Sequence, residues 1–504
     1  MGMNRRQFMA VASSCLGAKL VVGCGDSLGE ELAPAIESHQ FDCDVIVLGA
    51  GAAGLTAAWH LNQRYSVKVL EKDSRVGGKA ITGSRNGFYY AKGTEYLGEA
   101  QGTLKAIIDK LKLQPREIPA PSDVHFHNGQ FFYGDDGIAL QMIQESSLVE
   151  YNRFVKTIKD TFALYKDIPD LDLSSNIAKL DDLTVRQWFD QHQFPEIFYH
   201  LYNVSAKGLF GANIDEISAL SYLSELYFDF ENDTPIASVD ELENSALPGQ
   251  GRTYTYTFEH GIAEVTDAMA QALGNKLQLN ASVTSVQKAK SGYTVSYVDG
   301  SGVSRSLNSR AVIVATPAPI ALQIASAALS AEQRLIMEQI HYAPYVTIAL
   351  FSNEAIFNKG FDLAVPEGYF FTDIYDSTWV QRSYDAAVRE RKDAIMSVYI
   401  APPNSQDTAL LNMSDDELLH HVYKDLEKIY PGAAKKIVGV DIQRFKYAYP
   451  VMGKGAYKRL TRLHAISNKG LLLAGDYMIY PTFEAAIESG FLAYELAVEE
   501  LKKN

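Results

Sequence analysis

Cysteine is scarce in this chain: Cys15, Cys24 and Cys43 are the three among 504 residues. So few thiols exclude a disulfide framework and a zinc cluster. The histidines, the adjacent His420 and His421 included, have no metal-ligand spacing and read as structural or surface residues. Basic residues are in deficit. The formal net charge of −15 disfavours nucleic acid and anionic membrane surfaces as partners. An apolar run from Phe8 to Gly23 is too short to span a bilayer comfortably. No internal repeat or low-complexity tract interrupts the chain. A second nucleotide fingerprint is also missing, which argues against a nicotinamide-dependent reductase. What remains is 47% apolar and 21% charged, enough for a large core and two domains.

The feature that is present is DVIVLGAGAAGLTAAWHL, Asp44 to Leu61. A short apolar strand runs into Gly49-Ala50-Gly51-Ala52-Ala53-Gly54 and directly on into an apolar helix. Gly49 permits the tight turn, Gly51 lets the backbone approach a pyrophosphate, and Gly54 lets helix and strand pack closely. The free amides at the helix start, with its dipole, suit the phosphates. A second strand, Ser66 to Leu70, ends in Glu71, placed to accept from an adenosine ribose. Ala53 at the helix start and Lys72 after the acid complete this cofactor-binding set.

Downstream, Glu71 opens EKDSRVGGKAIT, with Arg75, Gly77, Gly78 and Lys79 at short spacing. This resembles the E-x-x-x-R-x-G-G-R-x-x-T signature of the flavin amine oxidase and carotene desaturase superfamily. Lys79 stands where the family has arginine; it keeps the charge expected near the phosphates and loses the planar fork. Near the other end, LLLAGDYMIYPTFEAAIESGFLAYE (Leu471 to Glu495) is similar to the family's closing segment, with Ala485 in place of a glycine. The resemblance implies that Gly475 and Asp476 meet the ribityl-phosphate part of FAD. It also implies that a helix from Phe483 points at the flavin's pyrimidine edge, where a helix N-terminus would stabilise negative charge. The strand near Ser282-Val283-Thr284 would meet the adenine through the backbone at Val283. FAD is the implied cofactor. The implied fold is α/β: a Rossmann-like FAD domain interleaved with a substrate domain of mixed sheet plus helices.

The positions of these blocks predict the domain layout. Residues 41–99, 249–326 and 449–504 form the FAD-binding domain, and 100–248 and 327–448 form the substrate domain. Strand-like YVTIALF (Tyr345 to Phe351) and AIMSVYIA (Ala394 to Ala401) should supply the second sheet. The acidic loop from Asp229 to Glu243 reads as a solvated surface segment, with an electrostatic entrance for a cation as the other possibility.

Asn4-Arg5-Arg6-Gln7-Phe8-Met9 before the apolar run resembles a twin-arginine export signal, and Lys19 within the run fits that route. Val21-Val22-Gly23-Cys24 resembles a bacterial lipoprotein box with Cys24 as the lipidated residue. Residues 1–24 are read as the signal and 25–40 as a polar tether. The expected location is the bacterial cell envelope, with membrane attachment only through the lipid at Cys24. The route carries folded proteins, which suits a chain that fills an FAD site before export.

The chemistry must come from the flavin in a shaped pocket. In amine oxidases of the superfamily two aromatic rings flank the substrate amine. The resemblance of Gly455-Ala456-Tyr457 to the family's glycine-x-tyrosine element implies that Tyr457 is one wall. Tyr480 is available for the other wall, since Thr482 occupies the aligned position. Tyr447 falls where the family has an aromatic behind the flavin. Among 29 tyrosines each is individually a packing candidate too. Ala456 stands where covalently flavinylated members have cysteine, so FAD should be noncovalent. Thr347 stands where many amine oxidases have a lysine that holds water near flavin N5. The expected function is oxidation of an amine or amino acid by hydride transfer to flavin, with O2 or another acceptor. A desaturase or C–O dehydrogenase, and a non-catalytic flavin lipoprotein, are the alternatives.

Overall fold

The computed structural model describes residues 41–230, 234–242, 252–467 and 469–503. The export signal, the lipid site at Cys24, the tether and much of the acidic loop (Glu231, Asp233 and Glu243) lie outside the described residues. Within them, two seven-stranded sheets organise the chain.

The first sheet has a parallel centre. Cys43–Leu48 pairs with Val67–Leu70 on one side and with the end of Ser304–Val314 on the other, and Leu471–Leu473 and Leu277–Gln278 extend it. These strands read as unbroken apolar runs because both faces are covered. The helix Ala52–Leu61 packs on one face with Ala263–Leu273 and the terminal helix Phe483–Lys503. That contact is close: a Cβ at Gly490 would lie 2.2 Å from the carbonyl oxygen of Ala53. The helix Gly102–Leu111 also belongs here, because Leu104, Ile107 and Ile108 share a core with Val45, Leu55 and Ile487. The boundary expected at residue 99 therefore falls one helix too early. The boundary expected at 448/449 falls inside the strand Ile437–Pro450, which belongs to the second sheet.

The second sheet runs in the order 437–450, 342–352, 394–400, 373–376, 362–364, 123–127, 130–133. Its strands alternate with period two. Ile348, Leu350, Met396, Val398, Leu363, Ile374 and Val124 point to one side and pack on Leu418, Val422 and Leu426 of the helix Asp415–Ile429. The opposite face carries Tyr345, Thr347, Tyr399, Tyr375, Asp373, Asp362 and Asp123, which line cavities. The helices Glu196–Phe210 and Ala219–Phe230 stand over that face, fixed by an aromatic cluster around Phe154, Phe198, Tyr202 and Phe230. Among the described residues no helix is long and apolar enough to cross a membrane.

Candidate functional site

A cavity of about 290 Å3 lies where the first sheet meets the polar face of the second. Its inner end is built by the glycine fingerprint. Gly49 has φ +100°, and a Cβ there would sit 2.7 Å from the carbonyl oxygen of Ala315. A Cβ on Gly54 would sit 2.0 Å from the carbonyl oxygen of Gly49, so strand and helix touch through backbone alone. Gly51 differs from both: its nearest neighbour in that direction is the Cα of Gly78 at 3.8 Å, and both residues face the cavity. A side chain at Gly51 would fill the cradle in which the fingerprint brings amides to a pyrophosphate.

Glu71 is braced by backbone amides at the end of the second strand and does not itself line the cavity. Its Oε2 accepts from the amide of Ala50 at 2.7 Å and its Oε1 from the amide of Asp73 at 2.9 Å. The amide of Ala281 donates to the Glu71 carbonyl at 2.8 Å, which brings the Val283 strand alongside. Val283 itself is half-buried and pairs with Tyr297. Lys72 points into solvent beside Asp73, at 3.5 Å, and takes no part in the cavity wall.

Lys79 departs from expectation. Its ammonium is paired with Asp476 and donates to the Ala448 carbonyl at 2.6 Å. The cation therefore ties the fingerprint side to the strand Ile437–Pro450 and to the closing segment, where the sequence pattern had put it near phosphates. Asp476 Oδ1 also accepts from the Tyr477 amide at 2.9 Å, and Gly475, at φ +145°, passes close to the Tyr477 ring. The first residues of the terminal helix, Phe483 and Glu484, line the cavity, and Thr482 Oγ1 accepts from the Ala485 amide at 3.2 Å. Thr316 Oγ1 is buried at the same cavity and finds no partner within the protein. The glycine cradle, the braced Glu71, the helix terminus and the unsatisfied Thr316 hydroxyl together fit a dinucleotide cofactor laid along this cavity. Gly51, Ala53, Gly475, Asp476 and Phe483 would hold it, with Glu71 bracing the turn beside them.

The outer end is aromatic and acidic. Tyr447 lines it, edge-on to Tyr342 at 5.7 Å, and so do Thr347 and Tyr480. Thr347 Oγ1 donates to the Lys92 carbonyl at 2.8 Å. The Tyr480 hydroxyl donates to the Ser221 carbonyl at 2.8 Å and accepts from Ser224 at 3.1 Å, which fixes its ring at the wall.

Tyr457 is the correction. It does not line the cavity; it is fully buried, with its hydroxyl 2.6 Å from that of Tyr165. Helix Ala456–Ala465 begins at Gly455, and its first turn points the ring into the helical core. Ala456 is buried in the same core, away from the cavity. Tyr457→Phe should therefore lower thermal stability, by about 1 kcal/mol or somewhat more for a buried hydroxyl pair. Turnover and flavin content should stay as they were, and a large loss of turnover at unchanged stability would return Tyr457 to the site.

Sequence reasoning missed the residues that dominate this end: Glu95, Tyr345, Tyr375, Tyr399 and Tyr449. Glu95 Oε2 lies 2.6 Å from the Tyr399 hydroxyl, which is also 2.9 Å from the Gly93 carbonyl. Burial pushes the Glu95 carboxyl up to about 7, against the hydrogen bond from Tyr399, which lowers it. The available signal was the strand Phe88–Ala91 followed by Lys-Gly-Thr-Glu-Tyr. A Cβ at Gly93 would lie 2.1 Å from the Lys79 carbonyl oxygen, so this turn is pressed against the cofactor side.

The model of the flavin containing amine oxidoreductase family matches residues 52–494. Protoporphyrinogen oxidase 2 of Arabidopsis thaliana is 21% identical, covering 93% of this chain and 97% of its own. Among solved structures, a putrescine oxidase double mutant superposes with a TM-score of 0.70 at 18% identity, covering 91% of this chain and 99% of that one. Cyclohexylamine oxidase from Brevibacterium oxydans gives 0.69 at 21% identity, covering 92% and 100%. The chain belongs to the flavin-containing amine oxidoreductase family and is an FAD-dependent oxidoreductase with the amine oxidase-like fold.

Proposed function

We propose that this protein oxidises an amine. The observation that carries the reading is the outer end of the cavity, where Glu95 and Glu225 stand among the rings of Tyr96, Tyr345, Tyr375, Tyr399 and Tyr449. Tyrosine faces and carboxylates attract an ammonium group. Lys79 is the sole lysine or arginine among the described lining residues, and it is committed to Asp476. A free amino acid would bring a carboxylate with no cation to meet it, so a simple amine is favoured over an amino acid.

Bound FAD supplies the hydride acceptor. The protein's part is to hold the amine before it and to take the ammonium proton, for which Glu95, titrating near neutral pH, is suited. The balance is a hydride lost from the carbon next to nitrogen, hydrolysis of the resulting iminium to aldehyde and ammonia, and two electrons passed to O2 or another acceptor. A specific observation favours a second reading, dehydrogenation at a C–C or C–O bond: Thr347 has its hydroxyl bound to a carbonyl, in a strand without lysine. Anaerobic bleaching of the flavin by amines, with ammonia and peroxide formed on admitting air, is the test. Bleaching by alcohols or hydrocarbons and by no amine would overturn the amine reading.

FAD is proposed to be noncovalent. The support comes from the described cavity lining, which contains no cysteine; Cys43 is buried at the start of the first strand. Acid precipitation should release all the flavin, and colour left on the precipitate would refute this. The proposed location is the cell envelope, by export on the Arg5-Arg6 signal and lipidation at Cys24, which rests on the sequence. Replacing both arginines by lysine should retain the precursor inside the cell, and Cys24→Ala should release the exported form from the detergent phase. Normal export of the Lys-Lys variant would rule the signal out.

A further inference from the structure

One group of enclosed polar side chains takes no part in the chemistry proposed above. Tyr165, Ser224 and Tyr457 are buried, and Asp167 is half-buried. They come from separate places in the chain. Tyr165 and Asp167 lie in the segment after the helix Leu148–Phe162, Ser224 in the helix Ala219–Phe230, and Tyr457 in the first turn of Ala456–Ala465. None of them lines the flavin cavity, yet they are joined to its wall.

The join is at Tyr480, whose ring lines the cavity edge-on to Phe210 at 5.5 Å. Its hydroxyl donates to the Ser221 carbonyl and accepts from Ser224. Ser224 is also hydrogen-bonded to Tyr165, and Tyr165 in turn to Asp167 and, at 2.6 Å, to Tyr457. Asp167 Oδ1 accepts from the Ile168 amide at 2.7 Å, which ties the carboxyl to its own backbone. A line of hydrogen bonds thus runs from Tyr480 through Ser224 and Tyr165 to Asp167. Burial pushes the Asp167 carboxyl up to about 6, while hydrogen bonds from the Ile168 amide, Tyr457 and Tyr165 pull it down. Apolar side chains of similar shape hold a core as well as buried polar groups do, so packing alone does not account for this line. What it adds is direction. A serine side chain turns among staggered rotamers, and the bond to Tyr165 selects the one that reaches Tyr480.

We propose that Tyr165 and Asp167 are positioning residues, which through Ser224 fix the angle of the Tyr480 ring against which the substrate amine rests. The inference rests on the amine reading above for what meets the ring. A ring attracts a cationic or amine nitrogen through its face at contact distance, so a tilt costs both affinity and alignment. Tyr457 is a branch of the line and not a link in it, since Tyr165 reaches Asp167 directly. That supplies an internal control. Tyr165→Phe and Tyr457→Phe each remove one hydroxyl of the same 2.6 Å pair, and only the first cuts Asp167 off from the cavity wall.

The test compares flavin-loaded full chains, with flavin content as the check on folding. Tyr165→Phe and Ser224→Ala should each lower kcat/KM for hexylamine about tenfold, and weaken binding of tetramethylammonium, an unreactive cation, in calorimetry. Tyr457→Phe should lower thermal stability as much as Tyr165→Phe does and leave both other readouts as they were. Asp167→Asn keeps a carbonyl oxygen for Tyr165 and should retain most of the activity that Asp167→Ala loses. A readout without substrate comes from fluorotyrosine placed at Tyr480 alone. Its fluorine NMR line should shift or broaden in Tyr165→Phe and stay in place in Tyr457→Phe. Unchanged kcat/KM and an unmoved line in both Tyr165→Phe and Ser224→Ala would overturn the inference, leaving the line a structural feature, and the amine reading would stand. If the line moves as expected and no amine bleaches the flavin, the positioning holds and the amine reading fails alone.

Discussion

Gly51→Val should yield a folded, colourless protein. Gly51 has φ −80°, open to any residue, and a Cβ added there meets only the Cα of Gly78 at 3.8 Å, so the branch point itself costs the apoprotein little. The isopropyl group instead occupies the cradle at the helix start. Two or three charge-assisted hydrogen bonds to the pyrophosphate are lost, each about 1.5–3 kcal/mol, so FAD affinity should fall on the order of a thousandfold or more. Gly54→Ala is the contrasting variant. Its Cβ would lie 2.0 Å from the Gly49 carbonyl oxygen and 3.1 Å from the Ala315 side chain, and the first contact can be relieved only by moving backbone. That overpacking should cost about 3 kcal/mol or more, and thermal stability should fall together with flavin. Flavin-to-protein ratio and thermal melting on the same preparations separate the two outcomes. A Gly51→Val protein with full flavin occupancy would remove the cradle from the cofactor site.

The contrast shows why the cofactor half was legible in the sequence. Gly49, Gly51, Gly54 and Glu71 act within one contiguous strand-turn-helix-strand unit, where local geometry fixes each role. The place of Gly475 and Asp476 was legible for the same reason, as the end of a strand before the terminal helix. Lys79 was read from the same pattern, yet its partner, Asp476, lies on a distant part of the chain that the pattern does not report. The substrate half offered no such unit. Its face is assembled from Asp123, Tyr345, Asp362, Asp373 and Tyr399, one residue per strand, with Glu95 from the segment after Phe88–Ala91. In strands such as Asp123–His127 the alternation marks one apolar and one polar face, and a polar face ordinarily means solvent. Here the helices Glu196–Phe210 and Ala219–Phe230 stand over it, so its polar residues line a cavity. Tyr457 failed in the opposite direction. A ring in a suggestive motif turned out to be core, because its helix faces Tyr165 and the terminal segment.

Glu95→Gln should reduce turnover of amines by about 100-fold or more, the scale of a lost general base. It should also change the shape of the pH profile. In the native protein the Glu95 carboxyl is raised to about 7 by burial, so it is protonated and unable to take a proton below that value and ionised above it. If the carboxylate accepts the ammonium proton, kcat/KM rises through about pH 7 as Glu95 ionises. The glutamine variant has no group to ionise there, and that limb disappears. Tyr399→Phe gives a signed second test. Its hydroxyl, 2.6 Å from Glu95 Oε2, stabilises the ionised form and lowers the carboxyl's pKa. Removing it should move the limb upward in pH while leaving the carboxyl in place, an effect that loss of packing alone does not produce. Rate measurements on one amine across pH 5.5 to 9, for the native protein and both variants, decide the matter. A limb that persists unchanged in Glu95→Gln would assign the proton to another group and leave Glu95 as part of the electrostatic lining.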